Sequence, residues 1–164
     1  MNTAIQTRKN PLYTGTFRRG LFVREIEERL WEFNNRITGH FSAFEFKPLL
    51  GKFGTLAFGD KIALQYTERG SSVLMENEFM KATVIYWQVG KESAVHGHPR
   101  GGCMFKVLEG QLEEKRFTSP ESKTPYEIKK YSESGIAYIH DSVAYHSVSN
   151  PFDVPAYSIH LYSK

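Results

Sequence analysis

The sequence predicts a mainly β domain, a jelly roll or small barrel, carrying a helical cap on its N-terminal side. Three observations lead there. One early segment has helical apolar spacing, and eight later segments are short, rich in Val, Ile, Tyr and Phe, and separated by Gly, Pro, Ser or Asn. Between those later segments there is no stretch with helical periodicity, so the crossover helices of a parallel α/β sheet are missing. With 164 residues, 40% of them apolar, the chain fits one domain with a core of its own.

Residues 1–20 contain Pro11, Gly15 and Gly20 and no periodic apolar pattern, so they are expected to form an irregular lead-in. Arg8, Lys9, Arg18 and Arg19 fall there, and they read as a solvated terminus rather than an arm for nucleic acid. Phe22, Ile26, Leu30, Phe33 and Ile37 then recur at helical spacing among Arg24, Glu25, Glu27, Glu28 and Arg29, with Gly39 as a stop signal. Residues 41–60 carry Pro48, Gly51, Gly54 and Gly59 and leave room only for short helical pieces. Residues 21–58 therefore form the predicted cap and 60–164 the predicted barrel. Its expected strands lie in KIALQYTER (61–69), FMKATVIYWQV (79–89), CMFKVLEG (103–110), QLEEKRF (111–117), YEIKKY (126–131), GIAYIH (135–140), AYHSVSN (144–150) and PAYSIHLYS (155–163).

Composition narrows the functional classes. A net charge of +3 with both signs mixed along the later chain gives no footprint for nucleic acid. The longest apolar runs, such as VIYW at 84–87, have strand length and fall far short of a membrane helix. A single cysteine forms no internal disulfide, and MNTAIQTRKN lacks the apolar core of a secretory signal, so a reducing, cytoplasmic setting is expected.

The stretch HGHPRGGCMFKVLEG, residues 96–110, holds two of the six histidines and the only cysteine. On extended backbone, positions i and i+2 share a face, so His96 and His98 can offer two imidazoles to one ion. His146, in a later strand, is the best candidate for a third ligand. A lone His-x-His is as often two surface or core histidines. Three imidazoles bring no charge, so a divalent ion held by them keeps its +2 for an anionic ligand at an open position. Softness alone leaves Fe, Zn, Cu and Ni open. Cys103 is open to three readings: a buried small hydrophobe, a reactive side chain, or a fourth ligand that would close a structural zinc site. In the last strand Ser158, His160 and Tyr162 alternate with Tyr157, Ile159 and Leu161, so one face is polar, turned either to water or into the barrel as a self-satisfying chain of hydrogen bonds.

The spacing Gly90, five residues, His96-Gly97-His98, four residues, Cys103, six residues, Gly110 resembles the first motif of the cupin superfamily, with Cys103 where glutamate is usual. A second motif runs from Gly135 through His146 to Asn150 and departs from the superfamily pattern at Asp141 and Val143. The cysteine, together with the ending SIHLYS at 158–163, narrows the resemblance to the thiol dioxygenases of the cysteine dioxygenase type I family, over about residues 60–164. The resemblance implies a small cupin barrel with Fe(II) on His96, His98 and His146. It also implies oxidation of a small-molecule thiol by O₂, with L-cysteine to cysteine sulfinic acid as the leading case. Ser158, His160 and Tyr162 would then face the site, with a possible Cys103–Tyr162 thioether cofactor. Redox-inert zinc does not suit that chemistry.

The family's tyrosine–x–arginine for the substrate carboxylate corresponds to Tyr66 and Arg69 here, but the arginine stands one place late and Glu68 takes its position. A bulge would re-aim it, and Arg100 is the second candidate. His40 and His140 are expected to be structural or loop histidines. Dioxygenation of another thiol such as 3-mercaptopropionate stays open, as does a non-catalytic metal-binding cupin. A cupin isomerase or lyase would ordinarily want the glutamate that Cys103 replaces.

Overall fold

The computed structural model describes residues 21–65 and 70–164. The expected lead-in over 1–20 lies outside the described residues, as do Tyr66 and Arg69.

Helix α1, Leu21–Asn34, buries Ile26 and Leu30 one turn apart on a single face. Its outer face carries Arg29, which donates to Glu25 Oε1 at 2.8 Å. The apolar period continues to Ile37, but the helix stops three residues short of it. At its last residue, Asn34 accepts a hydrogen bond from Asn77 Nδ2 at 2.8 Å, a long-range tie between the helix end and the turn that begins at Asn77. Ile37 still packs against the core. A 3₁₀ turn, Ala43–Phe46, is capped by Ser42 Oγ accepting from the Phe44 N–H, and the one-turn helix α2, Lys47–Leu50, carries Pro48 in its first turn, where the missing N–H costs nothing. Helix α3 spans Phe58–Gln65.

Helix α3 corrects the strand expected over 61–69. The alternation of Ile62 and Leu64 suggested a strand, whose geometry would bury both on one face. In the helix Leu64 is 2% exposed while Ile62 is 39% exposed, because two residues turn an α-helix by about 200°. The first described strand is instead β1, Ser71–Glu76, whose two serines and bulge between Val73 and Met75 blur its alternation.

The remaining strands are β2 Met80–Trp87, β3 Cys103–Glu109, β4 Leu112–Phe117, β5 Glu127–Tyr131, β6 Ile136–Ile139, β7 Tyr145–Ser149 and β8 Ala156–Ser163. Among the described residues they build two antiparallel sheets, ordered β1-β2-β8-β3-β6 and β5-β4-β7. This is the expected mainly β jelly roll with its N-terminal helix.

The larger sheet is buried on both faces. Ile159 and Leu161 of β8, with Met104 and Leu108 of β3 and Ala82 and Val84 of β2, pack against Ile26, Leu30, Phe46 and Leu50 of the cap. On the opposite face Trp87, Phe105, Val107 and Ala156 meet Leu112 and Val148 of the smaller sheet. Double burial explains the nearly unbroken apolar run of β3.

Its exception is Lys106, which is 5% exposed and points into the cap, where its ammonium donates to the Leu50 carbonyl at 3.0 Å and to the Phe53 carbonyl. The amine thus ties the C-terminal carbonyls of the α2 region to the barrel. Lys106→Met keeps the stem's packing but leaves the Phe53 carbonyl without this donor, and is expected to cost about 1–3 kcal/mol, read as a lower urea midpoint at unchanged slope.

Candidate metal centre

His96 and His146 are brought together by backbone pairing. Each donates its N–H to the other's carbonyl at 2.9 Å, an antiparallel bridge between the extended stretch before β3 and strand β7. His98 stands two residues on from His96, on the same side. Its N–H is held by Asp141 Oδ1, and Gly97 between the two histidines packs so tightly that a Cβ there would lie 2.7 Å from the Tyr145 ring and closer still to Asp141 Oδ1. Asp141, one of the departures from the superfamily pattern, is therefore the residue that pins the second histidine.

The three rings converge, with centroids 4.6, 4.8 and 5.0 Å apart, and one ring nitrogen of each lies within 4.8 Å of the others. Hydrogen bonds fix which nitrogens face the centre. The Nδ1 of His96 lies 2.8 Å from the Ala94 carbonyl and the Nδ1 of His146 lies 2.8 Å from Glu114 Oε1, both acceptors only. Each of these Nδ1 atoms therefore carries a proton, and each Nε2 is the nitrogen left free to serve as a donor to an ion. The Nε2 atoms of His98 and His146 are 2.9 Å apart. Two donors at right angles on one ion, each about 2.1 Å from it, would be about 3 Å apart. A set of three imidazoles, two of them backed at Nδ1 by an acceptor, fits a divalent transition metal.

Burial acts against the charged forms of His96 and His98. It pushes His98 down to about 3, assisted by the neighbouring histidines, and it lowers His96 as well. His160, fully enclosed, is held well below the ordinary histidine range for the same reason. A histidine that is neutral in the fold but free to protonate when unfolded stabilises the native state above about pH 6.5, and this contribution is lost as pH falls toward the folded value. Metal-free protein should lose about 2 kcal/mol at pH 5 relative to pH 7.5 through His98 alone. Urea unfolding at the two pH values measures it, and equal midpoints would mean these histidines are already charged in the fold.

Strand β8 turns its polar face inward. Trp87 Nε1 donates to Ser158 Oγ at 2.8 Å, and Ser158 Oγ and His160 Nε2 are hydrogen-bonded at 2.8 Å. The His160 ring stacks on Phe105 with centroids 5.0 Å apart. The Tyr162 ring lies 5.5 Å from that of His98, and burial pushes its hydroxyl pKa up, so it stays protonated. Cys103 is the direct cross-strand partner of Tyr162 in the β3–β8 register and packs in one cluster with it; burial raises its thiol. Arg100 takes the left-handed conformation, φ 67°, with its carbonyl accepting from His140 Nε2, and it lines a surface groove with His40, His140 and Lys164, apart from the three histidines.

Glu114 is the residue that sequence reasoning missed. It is fully buried on β4, where it accepts from His146, from the Tyr131 hydroxyl at 2.9 Å and from Arg116 Nε at 3.0 Å. Burial alone would push its carboxyl up, but His146 and Arg116 hold it below the usual range. The available signal was Glu114 and Arg116 at alternate positions on the same strand face as Leu112, an inward face.

A two-sheet barrel with three histidines converging inside it defines a cupin with a candidate metal centre. A Bacillus halodurans crystal structure shares the fold, with a TM-score of 0.53 and 15% identity over 66% of this chain and 80% of that one. The family model for cysteine dioxygenase type I matches residues 64–164, and the chain belongs to that family. Human cysteine dioxygenase type 1 is 35% identical over 104 residues, 60% of this chain and 52% of that protein. The zebrafish (Danio rerio) protein of the same name is 37% identical over 86 residues, 49% of this chain and 43% of that one. The chain thus spans about half the length of the curated relatives it matches. No described helix is long and apolar enough to cross a membrane.

Proposed function

We propose that the chain is a non-haem Fe(II) thiol dioxygenase that converts L-cysteine to cysteine sulfinic acid. The observation that carries this reading is the convergence of three imidazoles, one ring nitrogen of each within 4.8 Å of the others, in a chain of the cysteine dioxygenase type I family. His96, His98 and His146 would hold the iron, which when bound supplies the thiolate site and the electrons for O₂ that d¹⁰ zinc could not. The overall reaction is R–SH + O₂ → R–SO₂H, in which sulfur gives up four electrons and both oxygen atoms end on it.

The chain's own residues orient and enclose. Trp87, Ser158 and His160 form a buried line of hydrogen bonds that holds the His160 ring in place. Tyr162, kept protonated by burial, offers a hydroxyl donor on the His98 side of the site. The enclosed, low-dielectric setting strengthens both as positioning groups. Tyr66 and Arg69 remain the proposed carboxylate clamp.

Oxygen consumption by anaerobically Fe(II)-loaded protein tests the reading, with L-cysteine and 3-mercaptopropionate run side by side and the product weighed by mass spectrometry. Uptake with L-cysteine and a mass gain of two oxygen atoms is expected. Faster uptake with 3-mercaptopropionate would reassign the substrate, and none with either thiol would overturn the dioxygenase reading.

Cross-strand Cys103 and Tyr162 also suit the thioether. Cys103 loses its S–H hydrogen and Tyr162 a ring C–H hydrogen, a C–S bond forms, and two electrons and two protons pass to O₂. Two bands on a denaturing gel, merging in Cys103→Ala, are the expected result; one unchanged wild-type band would remove the crosslink.

A further inference from the structure

The histidine centre is backed on one side by a buried ion pair, Glu114 and Arg116, which the dioxygenase chemistry itself does not use. One carboxylate oxygen accepts from His146 at 2.8 Å, while the other accepts from Arg116 at 3.0 Å and from the Tyr131 hydroxyl at 2.9 Å. Arg116 extends the line, donating through Nη2 to the Tyr138 carbonyl at 3.0 Å and lying 3.8 Å from the partly exposed carboxylate of Glu127. Glu114 is completely buried and Arg116 is 8% exposed. A buried ion pair is costly to desolvate and is weak evidence for stability, so its place directly behind one candidate ligand calls for another account.

Resting on the metal-centre reading above, we propose that Glu114 is a positioning residue that fixes His146 as the Nδ1–H tautomer, and that Arg116 is its counter-charge. The two parts act in opposite directions. A carboxylate behind a ligating imidazole orients the ring and makes its Nε2 a stronger donor, which favours metal binding. Left alone, its negative charge would also offset part of the ion's +2 and weaken the attraction for an anionic ligand. Arg116 cancels that charge while leaving the hydrogen bond in place. Donor strength at His146 and net charge at the ion are thereby set separately.

The two halves of the pair predict opposite changes, which a purely structural role would not produce. Co(II) serves as an air-stable probe of the same nitrogen donors, with visible absorption reporting occupancy, chelator competition at pH 7.5 giving affinity, and azide titration reporting anion binding at the ion. Glu114→Gln should weaken Co(II) binding about 10–100-fold. Arg116→Gln should tighten it at least about threefold and weaken azide binding by a similar factor. Equal weakening in both variants, or no change in either, would overturn the proposal. Should a variant fail to fold, ¹⁵N NMR of the histidine rings in metal-free wild type decides instead. An Nδ1-protonated His146 is expected, and an Nε2-protonated one would overturn the assignment. Wild type that binds no Co(II) would sink the metal-centre reading itself, and this proposal with it.

Discussion

His146→Ala is expected to emerge from purification and iron loading without stoichiometric metal, while keeping its far-ultraviolet circular dichroism. The ring it removes lies 4.6 Å from that of His96, centroid to centroid, and its residue is 1% exposed. Losing a partner one bond further out already costs about 10–100-fold in metal affinity, so losing a donor nitrogen should cost at least about a hundredfold. Folding should survive because Glu114 keeps two other donors, Tyr131 and Arg116, and is not left as an unpaired buried charge. A cavity cost of about 2–3 kcal/mol is the expected stability change. Full iron occupancy in this variant would mean that another side chain supplies the third ligand.

Gly97→Ala should have nearly as large an effect with no donor removed. By sequence Gly97 is a small residue between two histidines. In the fold it sits against the Tyr145 ring and the Asp141 carboxylate, with room for no further atom: a Cβ would come within 2.7 Å of Tyr145 Cε1. Either the histidine-bearing stretch moves away or Asp141 releases the His98 N–H that it accepts. A displacement of about 1 Å in a reacting group can cost about a hundredfold, and overpacking costs about 1–3 kcal/mol. Turnover per protein should therefore fall by about two orders of magnitude, while the melting temperature falls only a few degrees. Wild-type turnover with full metal content in Gly97→Ala would show that the segment around Tyr145 yields without disturbing His98.

Much of this was legible locally. Seven of the eight described strands coincide with segments whose alternation and turn residues mark them, and α1 follows its apolar period up to Asn34. Segment 61–69 misled because two apolar residues two apart fit a strand or a helix equally when the run is short; burial of Leu64 without Ile62 decides for the helix. The polar face of β8 was visible as alternation, which by itself allows water or the barrel interior; the inward choice came from the family resemblance. Glu114 stayed hidden because a charged residue in a strand is ordinarily solvated, and only its three donors, two of them on other strands, make its burial affordable.

The residues alone determined which side chains share a strand face or a helix stripe, because those periods of 2 and 3.6 are properties of the backbone and need no distant partner. They also placed His96 and His98 side by side. Tertiary structure alone decided that His146 meets them, that Cys103 stands opposite Tyr162, that the Ser158–His160 face turns inward, and that Glu114 and Arg116 lie behind the centre. Each of these depends on which strands pair and in what register, and that choice is made by burying both faces of one sheet at once.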